Sequence, residues 1–180
     1  MSKHMVNKYI PDNVFIYNIG KEPLSIVTPL RVYNNLTKSS MVVNALWDTG
    51  ASQSLVSERI VNELGLEEAS EMHSATANGN MRRMTTLCFA LPGDRDYMAY
   101  VEAAILPDAI GAAEFVIGLD IITMGNLSFE QVSGDTILKF IFDRNIFISR
   151  KDDSVTILQK MAMFKKKILD RKKKSLGLRD

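Results

Sequence analysis

One cysteine, Cys88, is all the chain has, so no intrachain disulfide can form and no cysteine-rich zinc site exists. The two histidines, His4 and His73, lie far apart without a ligand-spaced companion, which removes the usual zinc arrangements. No apolar run approaches the roughly 20 residues that span a bilayer. The opening Met-Ser-Lys-His-Met-Val-Asn-Lys lacks the apolar core of a signal peptide. There is no internal repeat and no low-complexity linker. A soluble, cytoplasmic protein is the expectation from these absences.

What remains is ordinary for a globular chain. Hydrophobic residues make up 46% and charged residues 24% of 180 positions, enough for one domain with a core and an appendage. The net charge of +1 hides an asymmetry. Residues 160–180 hold 9 Lys/Arg and 2 Asp, leaving 13 Lys/Arg and 19 Asp/Glu for the first 159, so a mildly acidic body (−6) carries a strongly basic tail (+7).

Hydrophobic patterning predicts short strands. Val14–Tyr17, a run from Leu24 to Tyr33, and Met41–Trp47 read as the first three. Pro23 and Pro29 argue for an edge or a broken strand in the second. Ser57 and Gly65 bracket a short helix as N-cap and C-terminal stop. Asn78-Gly79 is the strongest hairpin turn in the chain, and the few apolar residues near it predict a projecting, mobile tip. Tyr97–Leu106 and Phe115–Ile117 are further strands, with a brief helix over Leu119–Met124. Leu127–Phe129 and Ile137–Phe142 form a hairpin, and Ile146–Ile148 a final short strand. From Ser154, Ile157, Met161, Phe164 and Ile168 recur at helical spacing among lysines, which predicts a basic amphipathic helix.

Asp48 ends the Met41–Trp47 run and is followed at once by the small-residue turn Thr49-Gly50-Ala51. A carboxylate at the end of a buried strand must be paired, hydrogen-bonded or neutralised, so its presence there points to chemistry. The plain alternative is an aspartate capping a turn. Ser52, Ser54 and Ser57 near His73 suggest a serine hydrolase only weakly, because no Gly-x-Ser-x-Gly elbow is present. Cys88 lies in an apolar strand and reads as a small buried hydrophobe, and Asp120 reads as a helix cap.

Leu46-Trp47-Asp48-Thr49-Gly50-Ala51-Ser52, with Leu55-Val56 beyond it, resembles the active-site loop of the aspartic proteases, in their single-lobe retropepsin-like form. Val116-Ile117-Gly118-Leu119-Asp120 is similar to the later element that crosses behind that loop in the cellular and bacterial branch. The Asn78-Gly79 hairpin falls where the family has its flap. The resemblance covers about residues 14–145 and implies an all-β, single-lobe acid-protease barrel with two short helices. It assigns Asp48 as catalytic, Thr49 to a hydrogen-bond lock, and Gly50 and Ala51 to loop support. Ala77, Asn78 and Gly79 become flap residues over a peptide substrate, and Val116 and Ile117 pocket walls. Only one Asp-Thr-Gly is present, since Asp135-Thr136 is followed by Ile137, so the resemblance implies a homodimer and no metal or cofactor.

The expected organisation is an N-terminal arm over 1–13, a protease domain over 14–150 and a basic helix over 151–180. That helix would meet an anionic partner, nucleic acid or membrane, dock on the acidic body of its own dimer, or stand as a solvated face. A catalytically silent dimeric peptide-binding domain of the same fold is the alternative function.

Overall fold

The computed structural model describes residues 13–75, 81–91, 97–149, 152 and 154–175. The expected N-terminal arm, apart from Asn13, and the tip of the Asn78-Gly79 hairpin lie outside the described residues.

Among the described residues, eleven strands and three helices follow in the order β1 (Val14–Gly20), β2 (Val27–Tyr33), β3 (Ser40–Trp47), β4 (Leu55–Ser57), α1 (Glu58–Leu64), β5 (Glu68–Ala75), β6 (Met81–Ala90), β7 (Tyr97–Leu106), β8 (Phe115–Ile117), α2 (Leu119–Ile122), β9 (Gly125–Val132), β10 (Asp135–Phe142), β11 (Ile148–Ser149) and α3 (Ser154–Ser175). Strands β7, β4, β8, β3, β2 and β6 pair in that order, and β6 pairs back onto β7, closing a six-stranded barrel. Closure removes the open edges that short strands would otherwise present. Beside the barrel, β1, β10 and β9 form an antiparallel sheet of three. The all-β barrel with short helices is the architecture that the sequence predicts.

The core is where barrel and small sheet meet. Trp47 stacks on Phe15 and meets Phe140 edge-on at 5.2 Å between ring centroids. Its indole N–H donates to the buried Thr28 hydroxyl at 2.9 Å, so the ring is fixed by packing and by a bond. Pro29 does not break its strand, and the expected edge holds locally: β2 runs unbroken from Val27 to Tyr33 beside β3. β6 reaches only Arg31–Tyr33, so at Pro29 the strand is paired on one flank. Helix α1 begins and ends as expected, with the Ser57 hydroxyl accepting from the Ile60 N–H and Gly65 in the left-handed region at φ 60°.

Helix α3 is docked on the body and is not a wholly solvated appendage. Its Phe164 is fully buried, edge-on to Tyr100 of β7. Lys165 reaches the Glu102 carboxylate at 3.3 Å, Lys167 the Asp143 carboxylate at 3.1 Å, and Lys160 donates to the Phe147 carbonyl and to Asp152. Of the expected roles for the tail, docking on the acidic body is realised within the one chain. No helix among the described residues is long and apolar enough to cross a membrane.

Candidate active site

Asp48 follows directly on the best-anchored residue of the core, and local backbone bonds shape what comes next. The Asp48 N–H donates to the Ile117 carbonyl at 3.0 Å, tying the end of β3 to β8. The Gly50 N–H donates to Asp48 Oδ1 at 2.8 Å, and the Ala51 N–H to the Asp48 carbonyl at 3.3 Å. The carboxylate is thus held by its own turn, the arrangement that short acidic side chains favour. A Cβ on Gly50 would stand 3.1 Å from Asp48 Oδ1, so a larger residue would press on the carboxylate. Contrary to the picture of a buried charge, Asp48 is half-buried in the single chain, while Thr49 and Gly50 are exposed. The loop lies on a surface with its backbone locked beneath it.

The lock continues under the loop. The Leu119 N–H donates to the Ala51 carbonyl at 2.8 Å. Gly118 lies so close to Gln53 and Ser54 that any side chain at 118 would collide with their backbone. The buried Ser54 hydroxyl accepts from the Gly118 N–H at 3.1 Å and donates to Asp120 Oδ1 at 2.7 Å, while the Ser54 N–H donates to Asp120 Oδ2 at 3.0 Å. Asp120 is therefore no simple helix cap: Gly118 holds the cap position of α2, and the Asp120 carboxylate ties α2 to the loop. Ser54→Ala would leave the buried Gly118 N–H without its acceptor and take one of two donors from Asp120 Oδ1, which keeps the Ile121 N–H, an expected loss of about 2 kcal/mol. Urea unfolding measures it, and a midpoint within error of wild type would contradict it.

Asp120 also gives a pH signature. Burial pushes its carboxyl above the ordinary value, and the bonds from the Ser54 backbone and hydroxyl and from the Ile121 N–H pull it partly back. Because the folded chain keeps this proton to higher pH than the unfolded one, its contribution is complete below about pH 3.9. It is lost as the pH rises through the folded value. The stability of wild type minus that of Asp120→Asn is expected to fall as the pH rises from about 3 to about 6; a difference independent of pH would contradict this.

Val116 and Ile117, the expected pocket walls, are both fully buried in β8 but point to opposite sides. Ile117 belongs to the main core. Val116 stands outside it, in a cross-strand row Leu46–Val116–Leu55–Ala104–Met84 that runs over β3, β8, β4, β7 and β6. Gln53 lies beside this row, its amide on the Met84 sulfur and the Glu102 carbonyl. Leu46, Leu55, Ala104 and Met84 were missed from sequence. The alternation of Leu46 against Ala45 and Trp47 carries the signal, but which face is core is a tertiary fact.

Strands β5 and β6 are the arms of the expected flap, in register from His73↔Arg83 to Ala75↔Met81. Ala77, Asn78 and Gly79 lie outside the described residues. At the base of the arms Arg83 reaches both Glu58 at the start of α1 and Glu68 of β5. Ser57 is the N-cap of α1 and Ser54 the loop lock, so two of the three clustered serines have structural duties. Cys88 is buried and its thiol is pushed up to about 12 by that burial, which makes it inert at neutral pH. Among the described residues no cluster of His, Cys, Asp or Glu is grouped as a metal site.

A closed barrel, one Asp-Thr-Gly loop and a glycine-bearing strand crossing behind it come together at this site. Residues 37–124 match the model of the gag-polyprotein putative aspartyl protease family. Among solved structures, the chain is similar to a retropepsin-like aspartic protease from Rickettsia conorii, at 14% identity and a TM-score of 0.45 over 71% of this chain and 92% of that one. It is also similar to the retroviral protease-like domain of Ddi1 from Leishmania major, at 16% identity and a TM-score of 0.41 over 58% of this chain and 79% of that one. Comparison with curated proteins finds no match.

Proposed function

We propose that the chain is an aspartic endopeptidase whose active site forms between two copies, each contributing Asp48. The observation that carries this reading is the surface turn of half-buried Asp48 and exposed Thr49-Gly50 on a rigid support, in a chain with no second Asp-Thr-Gly. Two such carboxylates brought together cannot both ionise, so they share a proton and titrate as a pair. The ionised one takes a proton from a water while the other, protonated, polarises the scissile carbonyl. Thr49 would lock the two turns together across the dyad, and Gly50 and Ala51 would keep the backbone close. No metal or organic cofactor enters this chemistry. An extended peptide would lie between the turn and the Ala77-Asn78-Gly79 flap, its side chains against the Leu46–Val116–Leu55 row. Ile117 would back that row from the core. Residues 14–150 would form the protease domain, with the 151–180 helix fastened to it.

Sedimentation across a concentration series, run beside cleavage of a peptide library, tests the proposal. The expected result is a dimer whose cleavage is pepstatin-sensitive and falls off as it dissociates. Undiminished cleavage by a strict monomer would overturn the shared dyad. A dimer that binds peptides without cutting them would point to the silent binding domain.

A further inference from the structure

Docking of α3 uses only part of its apolar surface. The docked face is Ile157, Met161, Phe164 and Ile168, with Phe164 fully buried and the others half-buried. Val155, Leu158 and Leu169 remain 62%, 66% and 54% exposed, and Ala162 lies exposed between them. At about 100° per residue these four fall within an arc of about 60°, some 130° around the helix from the docked face. Lys166, exposed, borders the stripe on one side, while Lys165 on the other side is paired with Glu102 of β7.

Three kinds of partner could cover an apolar stripe edged with lysines. Nucleic acid would answer the charge but has no use for exposed leucines. The one aromatic ring of the helix, Phe164, is buried against Tyr100 and cannot stack on bases. A second copy of α3 would meet the same pattern, since the stripe runs at alternating spacings of three and four through positions 155, 158, 162, 165, 169 and 172. Lys165 occupies one of those six positions with its ammonium on Glu102, so a helix packed along the seam would have to bury that ion pair. An anionic bilayer satisfies both features. The aliphatic side chains enter the headgroup region while Lys166 stretches its ammonium group up to the phosphates.

We propose that the outward face of α3 is a docking surface for anionic lipid membranes, through which the folded chain lies on a bilayer without crossing it. The test is flotation of the full-length chain with phosphatidylcholine vesicles, with and without about 30% phosphatidylglycerol. Binding is expected on the anionic vesicles only, and should weaken as salt rises from about 0.1 M to about 0.5 M. Leu158→Ser with Leu169→Ser, which leaves the charge and the docked face untouched, should weaken it by about tenfold. Lys166→Glu should lessen the preference for anionic lipid, and circular dichroism should show the same melting for all forms. Equal binding to neutral and anionic vesicles, or none to either, overturns the proposal. So does RNA binding that the leucine variant leaves unchanged while vesicles are ignored, which would make the face a nucleic-acid surface. Self-association abolished by the leucine variant, without vesicle binding, would make it a contact between copies and equally overturn the proposal.

Discussion

Asp48→Asn is expected to reduce peptide hydrolysis by about 10³- to 10⁴-fold. The asparagine Oδ1 can still accept the Gly50 N–H, so the turn persists and the melting temperature should move by no more than roughly 2 °C. What disappears is the shared proton, because an amide can neither take the water's proton nor donate as an acid. Mixing makes the test sharper. If the site needs one Asp48 from each of two copies, an equal mixture of wild type and variant, allowed to exchange subunits, retains about a quarter of the wild-type activity. A fall to about one half would mean that each chain acts alone and would exclude the dyad. Cleavage by Asp48→Asn at the wild-type rate would exclude an aspartic mechanism using this residue.

The largest expected loss of stability is at Gly118. A methyl group there would come within 2.5 Å of the Gln53 carbonyl carbon, 2.7 Å of its oxygen and 2.9 Å of the Ser54 nitrogen. All three are backbone atoms, so no side-chain rotation relieves the contact. The glycine is required by space, since its φ of −89° is open to any residue. Gly118→Ala must therefore push β8 and the active-site loop apart. That also stretches the Asp48 N–H bond to Ile117 and the Gly118 N–H bond to Ser54. The expected cost is about 3 kcal/mol or more, a fall of roughly 10 °C in melting temperature. On the proposed mechanism, cleavage should suffer beyond the loss of folded protein, because displacing a reacting group by about 1 Å costs about 100-fold in rate. A variant that melts within about 1 °C of wild type would show that the crossing strand has slack.

Most of the secondary structure was legible because its signals are local. Ser57 and Gly65 bracket α1, Ser133-Gly134 turns β9 into β10, and the 3.6-residue recurrence of Ile157, Met161, Phe164 and Ile168 marks the docked face of α3. The Asp48 turn was legible too, because an aspartate followed by small residues favours the local bond seen from the Gly50 N–H to its carboxylate. The misreadings came from neighbours distant in sequence. Pro29 left a break open because local rules cannot see that β6 stops short of it. Asp120 looked like a cap because its partner, Ser54, lies 66 residues away. The second apolar row escaped notice because Leu46, Val116, Leu55, Ala104 and Met84 come from five strands.

The sequence by itself determined the strand-forming stretches, the single Asp-Thr-Gly-Ala and the polarity between an acidic body and a basic end. Those depend on residue type and short-range spacing alone. Only the tertiary structure decided that Asp48 is half-buried on a surface, that Gly118 must be glycine, and that one face of α3 is covered while another stays open. Each of these depends on which distant backbone or side chain approaches, and no local pattern in the chain encodes that.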